Sequence, residues 1–257
     1  MASQPQDKPQ VLRETDEDAR ILARSLIHCA RHMALAVLDP ATGFPSASRA
    51  LTAPDFDGAP VILASALSGH TKGLAADPRC SLLAGEPAKG DPLAHPRITL
   101  QCVASPVERS SEPHARLRER FLGYHPKASL YVDFPDFRFY RLVPRSASLN
   151  GGFGRAFALG PADILTKEPP APGEWQDIQR RLNKMENLAN AVAETLARGK
   201  AGNWRFAGLD PLGFDLVAGE IHLRHEFGEP IAKAADAFGC ILTLSPANAQ
   251  RIPSPEI

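Results

Sequence analysis

Residues 45–83 read PSASRALTAPDFDGAPVILASALSGHTKGLAADPRCSLL, and the fold turns on how this stretch is parsed. It divides into strand, loop, strand, short helix and strand. The loop Asp55-Phe56-Asp57-Gly58 carries turn chemistry, because aspartate side chains bond their own backbone and glycine takes positive φ freely. Pro60-Val61-Ile62-Leu63-Ala64-Ser65 is a short apolar run rich in β-branched residues, which predicts a buried strand. Ser65-Ala66-Leu67-Ser68-Gly69-His70-Thr71-Lys72 then leads into a helix. Hydroxyls, a histidine and a lysine thus gather where backbone N–H groups are unpaired and the local field is positive, a setting that suits a phosphate.

Outward from this stretch, further blocks agree in order: Asp77-Pro78-Arg79-Cys80-Ser81-Leu82-Leu83, Asp136-Phe137-Arg138-Phe139-Tyr140-Arg141 and Gly151-Gly152-Phe153-Gly154-Arg155-Ala156. Phe206-Ala207-Gly208-Leu209-Asp210-Pro211-Leu212-Gly213-Phe214-Asp215 follows near the C-terminus. The ordering resembles the flavin-binding split-barrel family, the pyridoxamine 5′-phosphate oxidase-like proteins, and within it the haem-utilisation branch called HugZ-like. The resemblance implies an α+β fold: a split β-barrel over residues 15–160, then a small αβββα domain over 174–247. It also implies a homodimer with FMN at the interface between two barrels. By position, the FMN-binding residues would be Ser48 and Arg49 on the second strand, Ser65 on the third, then Ser68, His70, Thr71 and Lys72. A dianionic phosphate needs one or two cations and several neutral donors, and this set supplies both. The sequence departs from the better-known oxidases at His70-Thr71, where they carry a basic residue beside the lysine. The HugZ-like branch offers a second implication, haem in place of FMN, with Arg141 as candidate iron ligand, Arg155 in a matching block, and His70 or His125 as substitutes. A third reading is a binding or regulatory module without catalysis.

Composition narrows the classes. Of the 257 residues 44% are apolar, enough for one large or two modest cores. Lys plus Arg and Asp plus Glu are equal at 29 each, so no global field draws the chain to nucleic acid or to an acidic membrane. The four cysteines, at 29, 80, 102 and 240, lack Cys-x-x-Cys spacing and predict reduced thiols with no zinc site or disulfide framework. No apolar run reaches membrane-spanning length, and the polar opening MASQPQDKPQ has no signal-peptide core, so a cytoplasmic protein is expected.

Along the chain, Thr15 is the expected cap of a first helix that carries His28 and His32. Their spacing of four could hold a metal on one helix face, although no third ligand lies close in sequence. Strands are expected at 33–38, 44–51, 60–65, 79–83, 97–107 and 136–143, with a helix at 112–124. The Pro-rich segment 161–173 reads as a linker. One long amphipathic helix follows from Glu174, ended by Gly199 and Gly202, then three strands and a closing helix. His222 and His225, three apart on the last strand, would face opposite sides. No motif names a catalytic acid, base or nucleophile. That absence fits a site where a bound cofactor carries the chemistry and the protein supplies position and field.

Overall fold

The structure is a computed structural model, and it describes residues 12–245 apart from 153, 168, 170 and 198–201. In chain order the elements are β1 (Leu12–Arg13), α1 (Glu17–Cys29), β2 (His32–Leu38), β3 (Pro45–Pro54), β4 (Pro60–Ser65), α2 (Gly69–Ala76), β5 (Arg79–Ala84) and β6 (Arg97–Pro106). Then come α3 (Glu112–Tyr124), β7 (Phe137–Asn150), β8 (Ala156–Leu159), α4 (Pro161–Ile164), α5 (Pro172–Lys184), α6 (Leu188–Leu196), β9 (Arg205–Asp210), β10 (Gly213–Ala218), β11 (Ile221–Glu226) and α7 (Ala234–Thr243).

Strands β7, β4, β3, β2, β5 and β6 pair in that order, and β6 returns to β7, so six antiparallel strands close into a barrel. Closure removes the free edges that an open sheet would expose. The long β7 also pairs with β8 beyond the barrel. Period-two alternation sends Met33, Leu35 and Val37 of β2 and Ile98, Leu100 and Cys102 of β6 into one core. The inner face of α1, Ala19, Ala23 and Ile27, packs on that core. The split β-barrel expected from the sequence is therefore present, followed by a small α+β unit whose sheet has the order β11-β10-β9.

Helix α3 lies between the two parts. Leu117, Phe121 and Tyr124 meet Ala53, Val61 and Phe139 of the barrel and Ala207 and Val217 of the C-terminal sheet. A methyl group added at Gly208 would collide with the Tyr124 hydroxyl, so glycine there lets helix and strand approach closely. The loop read as a turn does more than reverse the chain. Gly58 takes φ +87°, and Phe56 at the tip is buried in the C-terminal core. The Arg120 guanidinium sits 4.4 Å from the centre of the Phe56 ring. Burying such a side chain contributes about 1.5–3 kcal/mol to holding the two parts together.

Three local expectations are corrected. Asp16, not Thr15, caps α1: its carboxylate accepts from the Ala19 amide at 2.8 Å, while the Thr15 hydroxyl donates to the Ala158 carbonyl. The single helix expected after Glu174 is two, α5 and α6, because Asn187 turns left-handed at φ 58°. The expected stop at Gly199 lies outside the described residues. Part of the expected linker is packed instead: Ile164 is buried in the barrel core, and the Thr166 amide donates to the Asp57 carbonyl at 2.9 Å. Among the described residues, no helix is long and apolar enough to cross a membrane.

Candidate functional site

The corner marked by the sequence lies where β4 ends and α2 begins. Ser68 occupies the cap position of α2 with extended backbone, φ −74° and ψ 144°, but its side chain does not cap the helix. Instead the Ser68 and Thr71 hydroxyls donate to the Ser65 carbonyl at 2.8 and 2.7 Å, and the two oxygens lie 2.7 Å apart. Each hydroxyl carries one proton, so both donors are spent on the protein. The Ser65 hydroxyl donates to Asp136 Oδ2 at 2.7 Å and accepts from the Leu67 amide. Three hydroxyls expected to grip a phosphate therefore hold the corner's own shape.

Ser48 and His70 meet across β3 and α2, with Ser48 Oγ 3.1 Å from His70 Nδ1. Ser48 Oγ also lies 3.5 Å from the Leu35 carbonyl, so it can pass its proton there and accept from Nδ1–H. The His70 ring is half-buried, and that burial lowers its pKa from 6.5, which leaves it neutral at pH 7. Ser48 pairs with core-facing Leu35, and Arg49 with exposed Ala34, so Arg49 points to the opposite face of β3 from Ser48. Arg49 and Lys72 are exposed, and neither forms an ion pair with any described residue. The seven expected residues thus form two contacting groups, Ser65-Ser68-Thr71 and Ser48-His70, plus two cations with open charge. Below the corner α2 packs hard on β2, where a Cβ at Gly73 would come within 2.7 Å of Val37. A cleft of about 500 Å³ opens further along the barrel wall, lined by Val37, Leu38, Pro45, Cys80, Cys102 and Arg145 among others.

Two candidate iron ligands are engaged elsewhere. Arg141 Nε donates to Asp55 Oδ2 at 3.0 Å, and its Nη2 pairs with Asp57, so the guanidinium braces the β3–β4 loop. His125 is buried on Phe121 with Nε2 2.7 Å from the Thr52 carbonyl. The His28–His32 metal pair does not form, because α1 ends at Cys29 and His32 opens β2.

His28 belongs to a constellation that the sequence does not announce. Its Nδ1 lies 3.1 and 3.2 Å from the Asp215 carboxylate, and the Tyr124 hydroxyl donates to Asp215 at 2.5 Å. Arg224 bridges Asp215 and Asp210 at 3.2, 2.8 and 2.7 Å, and Arg120 reaches Asp210, the Leu209 carbonyl and the Pro54 carbonyl. These groups come from α1, α3 and the C-terminal sheet, and all are buried. Burial alone would raise the Asp215 pKa, but His28 and Arg224 outweigh it and hold the carboxyl well below its ordinary 3.8. His28, Asp210 and Asp215 are close enough together to bind a metal. The Arg224 guanidinium already supplies the positive charge between the two carboxylates, so the cluster is a balanced ionic seam with no role left for an added cation.

Residues 14–166 match the family described as CREG, beta-barrel. The chain is 34% identical over 184 residues to HOZ, a chloroplastic haem oxygenase of unconventional type from Arabidopsis thaliana. That match takes in 68% of this chain and 55% of the plant protein, so the chain spans about half the length of that relative. A protein of unknown function from Agrobacterium tumefaciens superposes with a TM-score of 0.77 at 29% identity, over 94% of this chain and 99% of that one. A haem-binding protein from Mycobacterium smegmatis superposes with a TM-score of 0.54 at 26% identity, over 93% and 100%.

Proposed function

The chain belongs to the CREG β-barrel family, and from that premise we propose that it binds haem at the corner between β3 and α2. One observation carries the reading: His70 is neutral, its Nδ1 is anchored by Ser48, and no described residue engages its Nε2. A metal-ligating histidine commonly has its second ring nitrogen fixed in this way, which sets tautomer and orientation. Arg141 and His125 are occupied, so His70 is the ligand candidate that remains at this corner. Lys72, on α2 beside His70, has open charge for a carboxylate of the ligand, and Arg49 adds an open positive charge on the other face of β3. Bound haem would supply oxygen chemistry of the class that HOZ is named for. The residues of this chain would hold the ring, keep His70 in the binding tautomer and set the local field.

On this reading the chain sits in the HugZ-like haem-utilisation branch and works as a homodimer, the second barrel covering the corner. The division into a barrel domain over 15–160 and a C-terminal domain over 174–247 belongs to the same proposal.

FMN is the second reading. It is favoured by the first turn of α2, whose open N–H groups lie beside Lys72. It is weakened by the spent hydroxyls of Ser65, Ser68 and Thr71. Titrating the purified chain with haemin and, separately, with FMN decides between them by absorbance. A Soret band that His70→Ala alters and Lys72→Ala weakens by about tenfold or more supports haem, as for a lost charged hydrogen bond. A flavin spectrum with no response to haemin overturns it.

A further inference from the structure

Strand β11 turns alternate side chains toward α1 and the barrel, and two of the three form ion pairs. Glu226 takes Arg24 at 2.7 and 2.8 Å, and Arg224 takes Asp210 and Asp215. The third is His222, whose Nδ1 is buried and has no hydrogen-bond partner. A buried polar atom without a partner calls for a ligand or a water that the fold leaves room for. The room is present: His222 lines a cavity of about 660 Å³ between α1, the start of β11 and the turn at Gly85-Glu86. That volume falls in the range of small-molecule and cofactor sites. No residue of the corner at β3 and α2 lines it.

The lining selects the ligand. One wall is the apolar stripe Leu22, Leu26 and Ala30, facing Ile221. Burial, followed by the neighbouring His125, pulls the His222 pKa down to about 4, so the ring is uncharged at neutral pH and can donate a lone pair. A bare divalent cation needs three or four converging protein ligands. Among the described residues the group of three that meets this condition is in the seam, not here. A metal whose remaining ligands come from a planar organic ring needs one nitrogen from the protein, and an apolar wall suits such a ring. At the rim, Arg31 pairs with Glu220 and His32 lies 3.6 Å from Glu86. Both glutamates are more than 70% exposed, so these pairs are weak and yield to incoming carboxylates.

We propose that this cavity is a second metalloporphyrin site, distinct from the corner, with His222 as the axial ligand and Arg31 and His32 beside the ring carboxylates. The proposal rests on the reading that the chain binds haem. It adds a second haem per chain, held between the barrel and the C-terminal sheet.

Haemin titration of the full-length chain, followed by Soret absorbance and electron paramagnetic resonance, tests it. The wild type is expected to take two haems per chain. His222→Ala is expected to take one, with loss of one nitrogen-ligated iron signal. Ser25→Trp, which fills the cavity from α1 and leaves His222 in place, is expected to do the same. His70→Ala removes the other haem and leaves the His222 signal. One haem in the wild type, lost with His70→Ala and unchanged in His222→Ala and Ser25→Trp, overturns the second site and leaves the corner standing. One haem lost with His222→Ala and unchanged in His70→Ala supports the cavity and removes the corner. No haem at all overturns both.

Discussion

The seam between barrel and C-terminal sheet and the corner between β3 and α2 are both built from polar side chains, yet they finish in opposite states. In the seam every charge has a partner of opposite sign, and His28, Asp215, Arg224, Asp210 and Arg120 are all buried. At the corner the hydroxyls are satisfied locally, while Arg49 and Lys72 face solvent with no counter-charge among the described residues. Balanced buried charge costs desolvation and returns it through geometry, so it serves to define how parts fit. Unbalanced surface charge contributes little to folding and remains available to a ligand. The molecule thus uses one kind of polar constellation for assembly and, on the proposed reading, leaves another for binding.

The sharpest way to break this comparison is to unbalance the seam. Asp215→Ala would strand His28 and the Tyr124 hydroxyl in the interior and leave Arg224 with Asp210 alone. Breaking a buried pair from one side costs about 3–5 kcal/mol. Urea unfolding should report a loss of that size, with the C-terminal part loosened from α3. A loss under about 1 kcal/mol, the scale of a surface substitution, would show that the seam is solvated and has no organising role.

Acid titration sharpens the contrast. The His222 pKa falls from 6.5 to about 4 on folding, so the unfolded chain takes up the proton first as pH drops. Stability should therefore decline between pH 6.5 and about 4, by on the order of 2 kcal/mol once solvent screening is allowed for. Asp215 behaves differently: its folded pKa lies below 3.8, so its contribution is present above 3.8 and is lost only below that value. His222→Gln should flatten the upper window and leave the lower one. His70, His114, His125 and His225, whose pKa values burial also lowers, account for the slope that remains. An unchanged upper window in His222→Gln would place the titration in those four.

The amino-acid sequence announces some of these features and hides others. The barrel is legible because β6 alternates apolar and polar residues, β4 is a short apolar run, and the order of turn and helix signals around residues 45–83 is specific. The corner can be located for the same reason, but not its internal bonding. Nothing in Ser68-Gly69-His70-Thr71 says that the hydroxyls will turn back to the Ser65 carbonyl. The seam is hidden because its members are far apart in sequence: His28 meets Asp215 across 187 positions and Arg120 meets Asp210 across 90. The spacing of His28 and His32 is a helical argument, and it fails because the helix stops one residue after His28. Phe56 is concealed inside turn chemistry, although one aromatic among turn residues is a signal of an anchoring tip. The break at Asn187 is masked by apolar residues that keep a helical period on both sides of it.

The smallest expected effect falls at the corner, and it tests the other half of the comparison. Replacing both Arg49 and Lys72 by alanine removes two exposed charges that contact no counter-ion among the described residues. Surface changes of this kind stay within about 0.5 kcal/mol each, so the unfolding midpoint should barely move. Haemin affinity in the same protein should fall, because Lys72 no longer offers a charge-assisted bond to a ring carboxylate and the nearby positive charge of Arg49 is gone. His70 and Ser48 remain untouched, so the iron-ligand signature of what still binds should not change. The pattern of unchanged stability, unchanged ligation and weaker binding belongs to a ligand seat. If the double substitution unfolds the chain instead, the corner is structural, and the contrast with the seam collapses into a single rule for every polar cluster in the molecule.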